Sequence, residues 1–347
     1  MRRKILRAGA ALLITIAAGL LGLEICLRVV LGQAIIPGAD THGLLEPSAV
    51  PGMDYRLAAN FRERNVRTDS LGIRWRPRDP APPRHRILLI GDSVVFAGAV
   101  PYDSTFGAFL ERQLSADPAL GPVAVLNAGV PGYNTIQEEA MVKALGPRTR
   151  PDLVILGYCM NDAGEAPMLE SGRLVLRTAF NQPGSQGLSL PGLLARSRAL
   201  FFLKQTLKDL QSTYPEAFPA WLHYTHYVHR RDGAQESKQA LARIQDAATR
   251  MGARLLVVVF PMESQLRAGE RAAQDDLLRF LRARGIGVLD LYPGFRPRWR
   301  EHLFIDRLVG SRAVDKVHLS VRGHRLAAEA IAGELLAEPR RYFAHPQ

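Results

Sequence analysis

The sequence predicts an α/β fold built on a five-stranded parallel sheet, and three observations carry that prediction. Apolar runs of strand length recur at RILLI (86–90), VAVLN (123–127), DLVILGY (152–158), RLLVVVFPM (254–262) and IGVLDLY (286–292). Helix-forming stretches such as STFGAFLERQLSA, TIQEEAMVKALG and ERAAQDDLLRFLRARG separate most of them. The runs are apolar at successive positions, so both faces of each strand need cover. Strands of that kind, alternating with helices, form parallel sheets with helices on both sides.

Taken in order, the chain begins with MRRKILR ahead of AGAALLITIAAGLLGL, a charge-free run from Ala8 to Leu23 that continues as ICLRVVLG. The expectation for residues 1–31 is a signal anchor: one transmembrane helix, with the basic cluster Arg2, Arg3, Lys4 and Arg7 holding the N-terminus in the cytoplasm and the body exported. Glu24 and Arg28 stand i,i+4 in the order that favours pairing near the far interface. The alternative is a cleaved signal peptide, for which Gly32-Gln33-Ala34 offers small residues. The apolar region is longer than the ~7–15 residues of a usual signal core. Residues 32–85 are rich in Pro, Gly and Arg and read as a linker with short extended pieces, where Asp69-Ser70-Leu71-Gly72 turns between two short strands.

Residues 86–340 form the regular body, closed by a helix in RGHRLAAEAIAGELLAE. One connection is abnormal: about ninety residues (163–252) separate the third strand from the fourth, where ~2–6 are usual. It holds a hairpin strand at GRLVLRTAF, an apolar helix at LPGLLARSRALFFLKQTLKDL and an amphipathic helix near 233–251. An insertion at the carboxyl edge of a sheet can serve as a lid or substrate wall, or only as packing.

The chain has 347 residues with 47% hydrophobic and 22% charged content, which is globular rather than disordered. Its net charge of +12 favours an anionic neighbourhood such as a lipid surface or acidic glycan. No nucleic-acid-binding module is recognisable, so nucleic acid is not an expected partner. Cys26 and Cys159 lie in different parts of the chain and imply no disulfide framework.

The chemistry starts at ILLIGDSVVFAG, where an apolar strand stops on Gly-Asp-Ser. That places Ser93 at a strand's carboxyl end, where open α/β sheets bind ligands. A hydroxyl nucleophile needs a base, and AVDKVHLSVRGH supplies Asp315 and His318 three residues apart. Asp315 can bond one imidazole nitrogen and leave the other facing Ser93. No Gly-x-Ser-x-Gly elbow surrounds Ser93. An oxyanion needs donors: VLNAGVPGYNT offers the backbone N–H of Gly129, GYCMND offers the side-chain amide of Asn161, and Ser93 N–H is the third. Around them, Asp92 is expected to bond amides of its own turn, Asn127 to fix the Gly129 loop, and Asp162 to cap the segment after Asn161. His324 is expected on the exposed face of the last helix.

These residues resemble the SGNH/GDSL hydrolase superfamily, whose four name-giving residues correspond to Ser93, Gly129, Asn161 and His318. The blocks IGDSV, NAGVPG, MND and DKVHLS occur in order across roughly 86–335. The resemblance implies a flavodoxin-like three-layer α/β/α sandwich and a serine esterase or acyltransferase that needs no metal or other cofactor. Two departures stand out: Cys159 occupies the position two before Asn161 where glycine is usual, and Val94 replaces leucine. The anchor and the lead-in NVRTDSLGIRW look like a bacterial envelope subgroup. That implies an inner-membrane protein with a periplasmic catalytic domain and an acylated glycan or lipid as substrate.

The expected activity is hydrolysis of short-chain or acetyl O-acyl esters through Ser93, His318 and Asp315. Two alternatives are an O-acyltransferase modifying an exported polysaccharide, and a catalytically silent envelope scaffold. The LFFL segment (200–203) raises a lipase-like variant. WLHYTHYVHRRD presents His223, His226 and His229, but steps of three separate the outer pair by about 120° around a helix. A solvated face is the expectation there, not a metal site.

Overall fold

The computed structural model describes residues 2–30, 38–63, 65–75, 82–164, 166–170, 172–175, 231–305 and 317–343, with isolated positions at 197, 199, 203, 206 and 210. All five apolar runs are strands: β1 (His85–Gly91), β2 (Val123–Asn127), β3 (Leu153–Tyr158), β4 (Arg254–Val259) and β5 (Gly287–Asp290). They pair in parallel in the order β5-β4-β3-β1-β2. Their central residues carry almost no exposed surface; Ile87, Leu88, Leu89, Val154, Ile155, Val257 and Val258 are all buried.

The chain steps outward from β1 to β2, then returns across β1 to β3. Right-handed crossovers in opposite directions put their helices on opposite faces of the sheet. Accordingly α3 (Phe106–Ser115) packs on β2 and on α7 (Val321–Ala337), while α4 (Thr135–Thr149) packs on β1 and on α5 (Arg231–Arg250), and α6 (Ala272–Ala283) packs on β5. The result is a three-layer α/β/α arrangement. The change of direction lies between β1 and β3, where the carboxyl ends open a crevice. Gly91 and Gly157 stand level there.

The described residues between 38 and 75 are built into this body. Leu45–Pro47 pairs with Tyr55–Leu57, and Arg62–Glu63 with Val66–Arg67. Tyr55, Leu57, Ile73 and Arg74 are fully buried. Tyr55 Oη donates to Pro131 O at 3.0 Å, the Tyr133 hydroxyl donates back to Tyr55 O, and the two rings meet edge to face at 5.3 Å. The turn at 69–72 is held by Asp69 Oδ1, which accepts from Leu71 N–H at 2.8 Å and Ile73 N–H at 2.9 Å.

Within the long connection, Met168–Glu170 and Arg173–Val175 form a hairpin that also pairs with Gly38–Asp40. The amphipathic helix expected near 233–251 is α5, the crossover helix from β3 to β4. Its Arg243 Nη2 meets Glu139 Oε2 of α4 at 2.8 Å, and Ser237 Oγ lies 2.8 Å from Thr135 Oγ1. The second part of the connection is therefore regular sheet packing.

Helix α1 (Arg2–Val30) forms, but the expected membrane span over residues 1–31 is not supported: among the described residues no helix is long and apolar enough to cross a membrane. The charge-free run from Ala8 to Leu23 rises only about 24 Å at ~1.5 Å per residue, short of a hydrocarbon core of about 30 Å. Glu24, which ends that run, accepts from Ser197 Oγ at 3.0 Å and Ala199 N–H at 2.8 Å.

Candidate active site

Ser93 opens α2 (Ser93–Phe96), the short helix that follows β1. Asp92 caps it, its Oδ1 accepting from Val94 N–H at 2.8 Å, while Ser93 Oγ lies 3.4 Å from Asp92 Oδ2. The turn works because residue 91 is glycine: a Cβ there would stand 2.2 Å from Val95 Cγ2 and 2.8 Å from Gly157 O. Strand, cap and helix thus leave the Ser93 side chain half-buried at the sheet's rim while Val94, Val95 and Phe96 are buried behind it.

The second corner comes from β2. Asn127 is buried and uses both ends of its amide: Nδ2 donates to Val95 O at 2.8 Å and Oδ1 accepts from Gly129 N–H at 3.1 Å. The expected fixing of the Gly129 loop by Asn127 is therefore present, and it occupies the N–H expected to face an oxyanion. Gly129 packs directly on α2, since a Cβ would come within 2.4 Å of Phe96 N and 2.8 Å of Val95 C.

The third corner follows β3. Asn161 Nδ2 donates to Asp92 Oδ2 at 2.8 Å, which ties the end of β3 to the end of β1 and leaves the second amide hydrogen for another acceptor. Asp162 does not cap the segment after Asn161 as expected: its Oδ2 reaches back to accept from Cys159 N–H at 2.7 Å, and so closes the turn that carries Asn161. The backbone N–H of Cys159 thus turns inward to a carboxylate.

Behind the corner, Asp92, Glu138 and Asp162 form a buried acidic group. Burial is the main force pushing all three carboxyls above the usual range. The charge of Asp92 adds to this at Glu138, and those of Glu138 and Asp92 add to it at Asp162. Asp92 is relieved by the hydrogen bonds of Asn161, Val94 and Ser93 and by the nearby charge of His318, and Asp162 by the Cys159 N–H. Among the described residues both Glu138 oxygens lack a hydrogen-bond partner, so no hydrogen bond offsets its burial.

His318 is positioned by the strand-like pairing of its loop. Ile305 N–H donates to His318 O at 3.0 Å, Ser320 N–H to Leu303 O at 2.9 Å, and Phe304 bridges Leu319. Ser320 then caps α7 by accepting from Gly323 N–H at 3.2 Å. The imidazole is half-buried and lies close enough to Asp92 to act on its charge. Asp315, and likewise His223, His226 and His229, lie outside the described residues, as does LFFL except for Leu203.

The expectation for His324 is overturned. Its ring is 1% exposed, stacks on Phe106 with centroids 5.9 Å apart, and its Nδ1 accepts from Phe106 N–H at 3.3 Å. Burial first, then the charges of Arg74 and His318, lower its pKa to about 3, so it stays neutral. The α7 face that carries His324 packs on α3, which sequence periodicity did not assign. Arg74 and Glu138 were not singled out from sequence. Arg74 was visible only as part of the lead-in, and Glu138 is indistinguishable in pattern from its neighbour Glu139. Among the described residues no group of three or more His, Cys, Asp or Glu could hold a metal ion.

Among solved structures, that of TesA shares 14% identity over 72% of this chain and 98% of its own, with a TM-score of 0.43. A catalytic mutant of Axe2, an acetylxylan esterase from Geobacillus stearothermophilus, shares 13% over 74% and 95%, at 0.41. LAE5, an alpha/beta hydrolase enzyme from the metagenome of Lake Arreo, Spain, shares 15% over 75% and 97%, at 0.43. No curated protein matches the chain. Residues 89–326 match the family described as GDSL-like Lipase/Acylhydrolase, a stretch that runs from within β1 into α7 and includes Ser93, Gly129, Asn161 and His318. The chain belongs to the GDSL-like lipase/acylhydrolase family.

Proposed function

We propose that this protein is a serine ester hydrolase acting on O-acyl esters of a glycan or lipid at the cell envelope. Ser93 Oγ attacks the ester carbonyl, His318 takes its proton and returns it to the leaving alcohol, and Asp315 orients the imidazole. Water, activated by the same imidazole, then releases the acyl group from Ser93. The oxyanion is held by Ser93 N–H, the free hydrogen of the Asn161 amide, and Gly129 N–H shared with Asn127. One such donor is worth about 2.7–4 kcal/mol of barrier. The observation that carries the reading is the Asp92–Asn161 hydrogen bond at 2.8 Å, which supports placing the amide donor beside the serine at the sheet's change of direction.

The experiment is labelling of the purified full chain with a fluorophosphonate, followed by peptide mapping. Label on Ser93, together with nitrophenyl-ester turnover that Ser93→Ala abolishes, is the expected result. Label elsewhere, or turnover that survives Ser93→Ala, refutes it. The envelope location rests on α1, where Leu12, Ile14, Ile16, Leu21 and Ile25 are exposed behind a basic N-terminus, a combination suited to an anionic lipid surface.

A further inference from the structure

Arg74 is the largest fully buried side chain among the described residues, at 0% exposure, and it makes no ion pair there. The two terminal nitrogens of its guanidinium are satisfied by backbone carbonyls. Nη1 donates to Phe96 O at 2.5 Å and Ala97 O at 2.8 Å, and Nη2 to Val100 O at 2.9 Å and Asn65 O at 3.3 Å. The cation also lies 5.3 Å from the Phe96 ring centroid and 5.8 Å from that of Tyr102. Desolvation lowers its pKa to about 10, which leaves it charged at neutral pH.

Three of those carbonyls belong to the segment leaving the nucleophile's helix. Helix α2 ends on Ala97 at φ 54°, a left-handed conformation that a non-glycine residue adopts only when held. The carbonyls of the last turn have no helical partner, and the planar guanidinium fork collects them at once, as a lysine could not. The backbone of Arg74 reaches the second corner as well, its N–H donating to Asn127 O at 2.9 Å. Asn127 in turn holds Val95 O and Gly129 N–H. One residue of the lead-in thus touches both the exit of the helix that Ser93 opens and the strand end that carries Gly129.

We infer that Arg74 is a positioning residue: it sets the distance and angle between Ser93 and the Gly129 corner by clamping residues 96–100 against the end of β2. The inference rests on the ester-hydrolase reading and extends it to a residue about twenty positions before the nucleophile. It also makes the lead-in part of the active site's frame.

The test compares Arg74→Met and Arg74→Lys in the full chain, with active sites counted by fluorophosphonate titration. Arg74→Met is expected to lower kcat per titrated site about 10- to 100-fold with little change in KM, since a misplacement near 1 Å suffices for that loss. Arg74→Lys, which keeps the charge but not the fork, should recover part of it. If Arg74→Met does not fold, Arg74→Lys decides alone, and a kcat below wild type supports the inference. Variants that match wild type in kcat per site and lose only thermal stability overturn it. Hydrogen exchange of peptides spanning 91–100 and 127–133 reads the same clamp without turnover. Faster exchange in both is expected, and unchanged exchange overturns the inference even if wild type hydrolyses no ester. Wild type that neither labels nor turns over refutes the ester-hydrolase reading alone.

Discussion

Replacing Asp92 with asparagine changes one oxygen of a fully buried carboxylate to an amide nitrogen, at a site where two hydrogen bonds of 2.8 Å converge. The amide oxygen can keep the cap on Val94, so the helix carrying Ser93 should persist. The new nitrogen then faces Asn161 Nδ2, donor against donor, and Asn161 must turn away from the orientation that the proposed mechanism requires of its second hydrogen. If aiming Asn161 is what Asp92 does, the loss approaches that of a whole oxyanion donor. That is about 2.7–4 kcal/mol, or 10²–10³ in kcat. Asn161→Ala should cost the same. Because the two act through one hydrogen bond, the double variant should be no worse than either single. The assay is nitrophenyl-acetate turnover per site titrated with a fluorophosphonate, with melting curves to confirm folding. Multiplying effects, giving about 10⁵-fold in the double variant, would refute the coupling, since independent sites add in free energy.

Glu138→Gln should stabilise the protein increasingly as pH rises. The folded carboxyl holds its proton above the ordinary carboxylate range because of burial and then Asp92. The unfolded chain releases that proton, and stability therefore falls from the ordinary range up toward the raised pKa. Melting points from about pH 5 to about pH 8 check this, and a difference from wild type that does not change with pH refutes it. Gly129→Ala inserts a Cβ 2.4 Å from Phe96 N, so it should cost about 1–3 kcal/mol by overpacking and lower kcat by displacing α2. An unchanged melting point counts against that packing. Ile14→Glu with Leu21→Glu in the full chain should reduce sedimentation with anionic phospholipid vesicles while leaving turnover of a soluble ester intact. Undiminished sedimentation would rule out α1 as the lipid contact.

Much of this arrangement was legible in the order of residues. Five successive apolar runs became five strands because burial on both faces leaves a local mark at every position. Gly-Asp-Ser was legible as a strand end because a polar triplet interrupts such a run. The bond between Asn127 and Gly129 spans two residues and appears in the structure as expected, whereas Asp162, expected to cap the segment after Asn161, bonds back to Cys159 instead. His324 went the other way. Its helix is apolar on enough of its circumference that the pattern does not say which part meets α3, and only packing against Phe106 decides it.

The order of residues alone dictates the parallel α/β sheet and the succession of the polar residues that end its strands. Both follow from hydrophobic periodicity and strand punctuation, which act over a few residues. Long-range packing is what makes Asp92 bond Asn161 across 69 positions, lets Arg74 gather carbonyls 22 to 26 residues away, and buries three carboxyls. Those facts depend on which strand ends the sheet order places side by side. Once water is excluded there, each polar group must be met by a neighbour or give up its charge.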